Sequence, residues 1–374
     1  MKLAGATLPA LTPASVRAWL RENLRNGDRE AAAAAKAGPG PAGSTPRGRL
    51  GRPWNIVLPV AFALGAENSI LHVILEPRLL GSHAWIYTDA ARALFTGGDP
   101  WRAGPEAGVF AGPPPMLIPF IPFVGLSDDL IAAIWLFGSI LAMLWLLRKL
   151  GLPGYWIAFN PLFAVVVLGH LELLLVIVLL YAGRLGGVSA IVKPYMGFAL
   201  VAQRRWGAIA VAVAALAITA PFLPWQRFIE EYSFITANLT RQYAGDSVFG
   251  NPVLMVIAGV ALLSLGWRRA LWLGAPVFWP SAQQGYKLMS MPVLTPVIAV
   301  FWGIPVPGMA LTGIVLQAVL ERIDDRRPLP AWLHVGLQPL TEIGASIWPE
   351  RLRLRRVVAP PSEAATPAAS PAAT

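Results

Sequence analysis

The chain has 374 residues, of which 56% are hydrophobic and only 13% charged, with 30 Lys and Arg against 20 Asp and Glu for a net charge of +10. Soluble globular chains carry about a quarter charged residues, so this balance excludes an ordinary soluble domain and points to a polytopic membrane protein. There is no Cys, which excludes disulfides, thiolate catalysis and Cys-ligated metals.

The chain begins "MKLAGATLPALTPA", where Pro9 and Pro13 break a short apolar run, so no cleavable signal peptide is expected and the first span should act as an uncleaved anchor. Residues 12–36 read as a basic amphipathic helix: Val16, Trp19, Leu20 and Leu24 share one face and Arg17, Arg21 and Arg25 another, a pattern suited to an anionic leaflet. Residues 37–53 are a Gly-, Pro- and Arg-rich linker, completing a basic tail over 1–53. Excess Lys and Arg beside spans marks cytoplasmic segments. The basic tail, Arg148-Lys149, Arg204-Arg205, Arg268-Arg269 and the Arg351–Arg356 cluster are therefore expected on the cytoplasmic side of a cell membrane. With no nucleic-acid motif beside them, these basic residues favour lipid over nucleic acid as a partner.

A membrane domain is expected over 54–325. Its first span runs from Trp54 to about Leu75 and carries Glu67, Asn68 and His72 near its outer end. An outer loop over 77–112 follows, and it holds "YTDAARALFTGGDPW", Tyr87 to Trp101. Asp89 is a candidate N-cap of a helix that Gly97-Gly98 ends. The loop concentrates His83, Tyr87, Asp89, Arg92, Asp99 and Arg102. A Pro-broken segment over 113–125 precedes a clear span that Asp128-Asp129 should cap and Arg148-Lys149 close. The apolar run from Tyr155 to Leu185 is interrupted at "FNP" and "GHLE", which predicts two segments or a bent hairpin carrying His170 and Glu172. "GGVSAIVKPYMGFALVAQRR" is expected to dip in and return, with Lys193-Pro194 in its middle. Trp206 to Trp225 crosses outward, 226–250 reads as a mixed-charge loop, Pro252 to Trp267 returns, and Ala270 to Leu320 supplies short Pro-broken segments. Asp324-Asp325 reads as a solvated turn. Residues 326–356 hold an interfacial helix or last span with a basic flank, and 357–374 are a low-complexity tail.

Ionisable groups inside spans are costly and face a cavity or a partner, which singles out His170, Glu172 and Lys193. No GxxxxGK[ST], HExxH, GxSxG or metal-holding DxD occurs, and no metal is expected.

"YTDAARALFTGGDPW", "FAGPPPMLIPFIPF", "RKLGLPGYWIAFNPLF", "KPY" and "WPSAQQGYKLMSMPVL", in that order, resemble the family 87 glycosyltransferases of the GT-C fold over roughly 75–307. That family includes polyprenyl-phosphate-mannose-dependent mannosyltransferases. The resemblance implies an all-helical domain of about nine to twelve transmembrane or re-entrant helices, and transfer of a sugar such as mannose from a polyprenyl-phosphate donor to a lipid or glycan acceptor outside, with no cofactor. The family's catalytic Asp, four positions before the loop Tyr, corresponds here to His83, and the family's His beside the late Tyr corresponds to Gly285. Asp89 would then be the base, with His83 its rival. Arg92, Lys193 and Arg102 would face the phosphate, and Tyr87, Asp99, His170, Glu172, Gln284 and Tyr286 would line the site. The alternative is a non-catalytic relative acting as a lipid-linked-sugar flippase or scaffold.

Overall fold

The computed structural model describes residues 53–103, 110–243, 246–280 and 284–347, and among these every regular element is a helix. The expected amphipathic helix at 12–36, its linker, the Arg351–Arg356 cluster and the 357–374 tail lie outside the described residues.

The first helix, α1 (Trp54–Leu75), and α3 (Asp128–Leu150) are both long and apolar enough to cross a membrane. Between them lies α2 (Ser82–Phe95), followed by a 3-10 stretch over Pro114–Phe123, where repeated Pro removes the donors an α-helix needs. The sequence "GHLE" is a helix break: Gly169 takes φ +73 and His170 N–H closes α4 (Asn160–Leu168) on the Val165 carbonyl at 2.9 Å. A new helix, α5 (Glu172–Tyr181), starts at an acid, a favourable charge at a helix N-terminus. The two meet at 115° and together make a third candidate crossing.

The Lys193-Pro194 segment folds back on itself, and this fold-back is called the dip below. Helix α6 (Gly187–Val192) ends where Lys193 turns extended before Pro194, and α7 (Gly197–Ala202) follows. Arg205, just past α7, caps the far end of α5 by donating to the carbonyls of Leu179 and Gly183. Both ends of the dip therefore lie with Arg205, while its tip reaches Glu172. Arg268 likewise donates to Ala202 O, the last residue of α7, at 2.8 Å.

Four sequence expectations need correction. Helix α2 begins at Ser82 after Gly81, whose φ is +69, so Asp89 lies in mid-helix and is no N-cap; the Gly97-Gly98 ending stands, with Gly98 N–H on Ala93 O at 2.8 Å. Ser127 takes the cap position before α3, and Asp128-Asp129 sit in its first turn. The 226–250 stretch is chiefly a helix, α9 (Trp225–Tyr243), which follows α8 (Trp206–Thr219). Asp324 is no solvated turn residue: it is buried near the end of a helix and accepts from Leu329 N–H at 3.0 Å while pairing with His334 Nδ1 at 2.8 Å.

The remaining elements are α10 (Pro252–Leu265), α11 (Trp267–Phe278), α12 (Gln284–Leu288), α13 (Pro296–Gly303) and α14 (Met309–Arg326). The C-terminal region holds two short helices, α15 (Ala331–Gly336) and α16 (Glu342–Ile347), neither long enough to cross alone. Arg269 is not a free topogenic charge either, because it is buried and forked onto Glu321 at 2.6 and 3.0 Å. The core is made by the inward faces of these helices, with Trp101, Trp156, Trp272 and Trp302 wholly enclosed. Large apolar side chains on the other faces of α1, α3, α8 and α10 are exposed, among them Leu64, Phe137, Val213 and Val260. Water disfavours such belts, which fit hydrocarbon.

Candidate functional site

Four separate segments deliver polar side chains to one place. Helix α2 contributes His83 and Tyr87, which sit one turn apart on the same face with ring centroids 5.8 Å apart. Gly81, just before it, donates its N–H to Val167 O at 2.9 Å, which fastens the start of α2 to the end of α4. The α4–α5 break contributes His170 and Glu172. The dip contributes Lys193 and Tyr195, and α12 contributes Tyr286.

The His83 and His170 rings stack at 3.7 Å with 28° between planes. His170 Nδ1 lies 3.3 Å from Glu172 Oε2, and Lys193 Nζ lies 3.0 Å from Glu172 Oε1. Lys193 also stands 5.5 Å over the Tyr286 ring. Tyr195 packs on Tyr286 at 4.6 Å and on Trp279 at 5.5 Å, with its hydroxyl facing Glu172. Glu172, His170, Tyr195 and Tyr286 are buried, whereas His83, Lys193 and Gln284 are only partly so. The cluster thus has an enclosed floor and an accessible rim. A Cβ added at Gly285 would come 3.5 Å from the Glu172 carboxyl carbon and 3.2 Å from Val165 Cγ2, so the glycine lets α12 pack closely against Glu172.

The charges of the floor are arranged to compensate one another. A buried carboxylate needs a paired cation or several donors, and Glu172 has Lys193, His170 and Tyr195 around it. His83 faces the other way: burial first, then neighbouring His170, holds its imidazole well below the ordinary histidine range. A neutral imidazole can accept a proton.

Asp89 belongs to a different structure. Six residues along an α-helix place it about 120° around the axis from His83. Its carboxylate takes the Arg92 Nη1 donor at 2.6 Å, and the same guanidinium serves Asp128 at 2.9 Å, Val124 O at 2.9 Å and Leu126 O at 2.6 Å. Arg92 therefore staples α2 to the turn before α3, and Asp89 is one leg of the staple. Burial, followed in size by the opposing Arg92 bond and the nearby Asp128 charge, leaves the Asp89 carboxyl raised above its usual range.

Asp99 and Arg102 are drawn elsewhere too. Asp99 accepts from Trp101 N–H at 3.0 Å and pairs with Arg227 at 2.9 Å, while Arg102 pairs with Glu231 at 2.9 Å and lies 4.5 Å over the Phe234 ring. These contacts fasten the turn after α2 to α9. Glu67, Asn68 and His72 face outward from α1 and join no cluster.

Of the sequence-derived residues, His83, Tyr87, His170, Glu172, Lys193 and Tyr286 converge; Asp89, Arg92, Asp99 and Arg102 do not join them. Gln284 begins the helix that carries Tyr286, and its side-chain oxygen is buried with no hydrogen-bond partner among the described residues. Sequence reasoning missed Tyr195, Trp279 and a second buried pair, Asp246–Lys287 at 2.5 Å. Only Tyr195 had a signal, as the residue after the Lys-Pro that interrupts an apolar run. Among the described residues, no group of three His, Asp or Glu side chains is arranged to hold a metal ion. No protein-family model matches the chain, nor does any curated protein or solved structure.

Proposed function

We propose that this is a polytopic membrane glycosyltransferase with a GT-C-like architecture. In this reading the bent pair, the dip and the shorter apolar helices bring the expected nine to twelve segments, as an approximate count, into the membrane. The enzyme transfers a hexose such as mannose from a polyprenyl-phosphate donor to an acceptor hydroxyl, on the face opposite the Arg205 end. The observation that carries the reading is the meeting of His83, His170, Glu172 and Lys193, from three separate segments, beside Tyr87 and Tyr286.

His83 is the base. It takes the acceptor hydroxyl proton as the acceptor oxygen bonds to the anomeric carbon from the side opposite the donor phosphate. The bond from that carbon to the phosphate oxygen breaks with its electron pair, and the lipid phosphate departs with inverted configuration left at the sugar. A phosphate leaves without a general acid, so a nearby cation suffices, and Lys193 on the rim supplies it. Glu172 holds Lys193 and His170 in place, and the aromatic walls of Tyr87 and Tyr286 suit a sugar ring. Asp89 and Arg92, engaged with each other, support the helix and take no part in the chemistry.

The test is transfer from labelled polyprenyl-phosphate mannose to lipid acceptors in vesicles of the purified protein. General-base catalysis is worth roughly 10²–10⁴-fold, so His83→Ala should lose about that factor while Asp89→Asn keeps most of the rate. A second reading, movement of a lipid-linked sugar between leaflets, is favoured by one observation: the charged cluster sits at the 115° break of a helix pair. Donor movement between leaflets without transfer would select it.

A further inference from the structure

We infer that α9 is an interfacial helix that docks on membrane lipid along a stripe formed by Ile229, Tyr232 and Thr236, with Phe222 continuing the stripe toward α8. The inference rests on the membrane placement proposed above and on nothing in the catalytic reading.

At 100° per residue, α9 has three faces rather than two. One packs on the protein: Glu231 and Ile235 are buried there, flanked by Phe228, Phe234 and Leu239. Glu231 holds Arg102 on this side, and neighbouring Arg227 holds Asp99. A second face, Gln226, Glu230 and Ser233, is polar and exposed. Between them runs the third, with Ile229 70% and Tyr232 55% exposed, and with the Thr236 hydroxyl between them donating back to the Tyr232 carbonyl at 2.8 Å. Facing water, this stripe costs free energy with no return.

Continuity identifies what covers it. Helix α8 has exposed Val213 and Ile218, 61% and 65%, and a mean composition with no charged residue from Trp206 to Thr219. Next along the chain comes Phe222, 82% exposed, at the turn Ala220–Pro224 that leads into α9. Exposed apolar side chains therefore run on along the chain from α8 through Phe222 to Ile229 and Tyr232 of α9, about a quarter turn round that helix from its polar face. That is the geometry of a helix lying at the headgroup boundary, with its apolar stripe about 5–10 Å into the acyl region. A run of exposed apolar side chains that begins on the apolar helix α8 suits the same lipid.

The Cys-free sequence makes the test clean. Single-cysteine variants Ile229→Cys, Tyr232→Cys, Gln226→Cys, Ser233→Cys and Phe137→Cys, all at exposed positions, are labelled with an environment-sensitive fluorophore in phosphatidylcholine vesicles. Quenching is read with a shallow spin-labelled lipid and with aqueous iodide. The expected result is lipid quenching at 229 and 232 at least about twofold that at 226 and 233, as burial of one face alone requires, with the reverse order for iodide. Lipid quenching at 137 with iodide-accessible labels at 229 and 232 overturns the inference and leaves the membrane placement standing. Shielding of 229 and 232 from both quenchers also overturns it, in favour of a protein partner or a second copy. Loss of lipid quenching at 137 removes the membrane placement, and the inference falls with it.

Discussion

Removing one partner of the Glu172–Lys193 pair is expected to destabilise the protein far more than removing both. The pair is 3.0 Å long, with the Glu172 side chain fully buried and that of Lys193 only 12% exposed, so water screens it little. Breaking such a pair leaves an uncompensated buried charge at a cost of about 3–5 kcal/mol, whereas replacing both members with apolar groups of similar volume is often neutral or stabilising. Glu172→Met and Lys193→Met should each cost within that range, and Lys193→Met the less, because His170 and Tyr195 still face the carboxylate. The double variant should be at least ~2 kcal/mol more stable than the sum of the singles. Unfolding in detergent, followed by Trp fluorescence, measures all four proteins. Additive losses would refute the argument, since they would mean that the two side chains do not neutralise one another in the folded state. The double variant, although stable, should transfer no sugar, which separates the structural from the chemical role of the pair.

Other consequences follow from particular contacts. Asp89 binds its proton more tightly in the folded state than unfolded, so its contribution to stability falls as pH rises from its unfolded value of about 4 through the raised folded value; Asp89→Asn should abolish that part of the pH dependence of thermal unfolding. His83 shows the opposite sign: its folded value is lowered, so the acid limb of the transfer rate should lie below about pH 6.5, and a limb at or above that value would contradict His83 as the base. Arg269→Lys keeps the charge but loses the fork onto Glu321, and should cost about 1–3 kcal/mol in the same unfolding assay. Gly65→Ala should destabilise by a similar ~1–3 kcal/mol, because a Cβ there would come 1.9 Å from Gly303 O and force α1 away from α13.

The parts of this fold legible in the sequence were those set by composition and local signals. Trp54–Leu75 and the Asp128–Leu150 span stand out because a crossing needs a long uninterrupted apolar run. The break at "GHLE" was legible because Gly ends a helix and an acid begins one. Helix α9 was not, because its three-faced pattern of alternating charges and aromatics reads locally as loop. Asp324 misled for a related reason: in "ERIDDRR" one acid turns inward to meet His334 ten residues later, a contact that no local pattern encodes. At the site, the residue types were legible but the grouping was not. His170, Glu172 and Lys193 stood out as ionisable groups in apolar runs, whereas Asp89 drew attention as the acid nearest Tyr87. Only the helix phase, starting at Ser82, turns His83 toward Glu172 and Asp89 toward Arg92.

The central claim, that sugar transfer depends on the His83 cluster and not on the Asp89 staple, is tested most directly by one comparison. Transfer of labelled mannose from a polyprenyl-phosphate donor is measured for the wild type, His83→Ala and Asp89→Asn, with each shown to be folded by its unfolding transition. The account predicts loss of about 10²-fold or more in His83→Ala and near wild-type transfer in Asp89→Asn. Undiminished transfer in His83→Ala, or its loss in a folded Asp89→Asn, would contradict it.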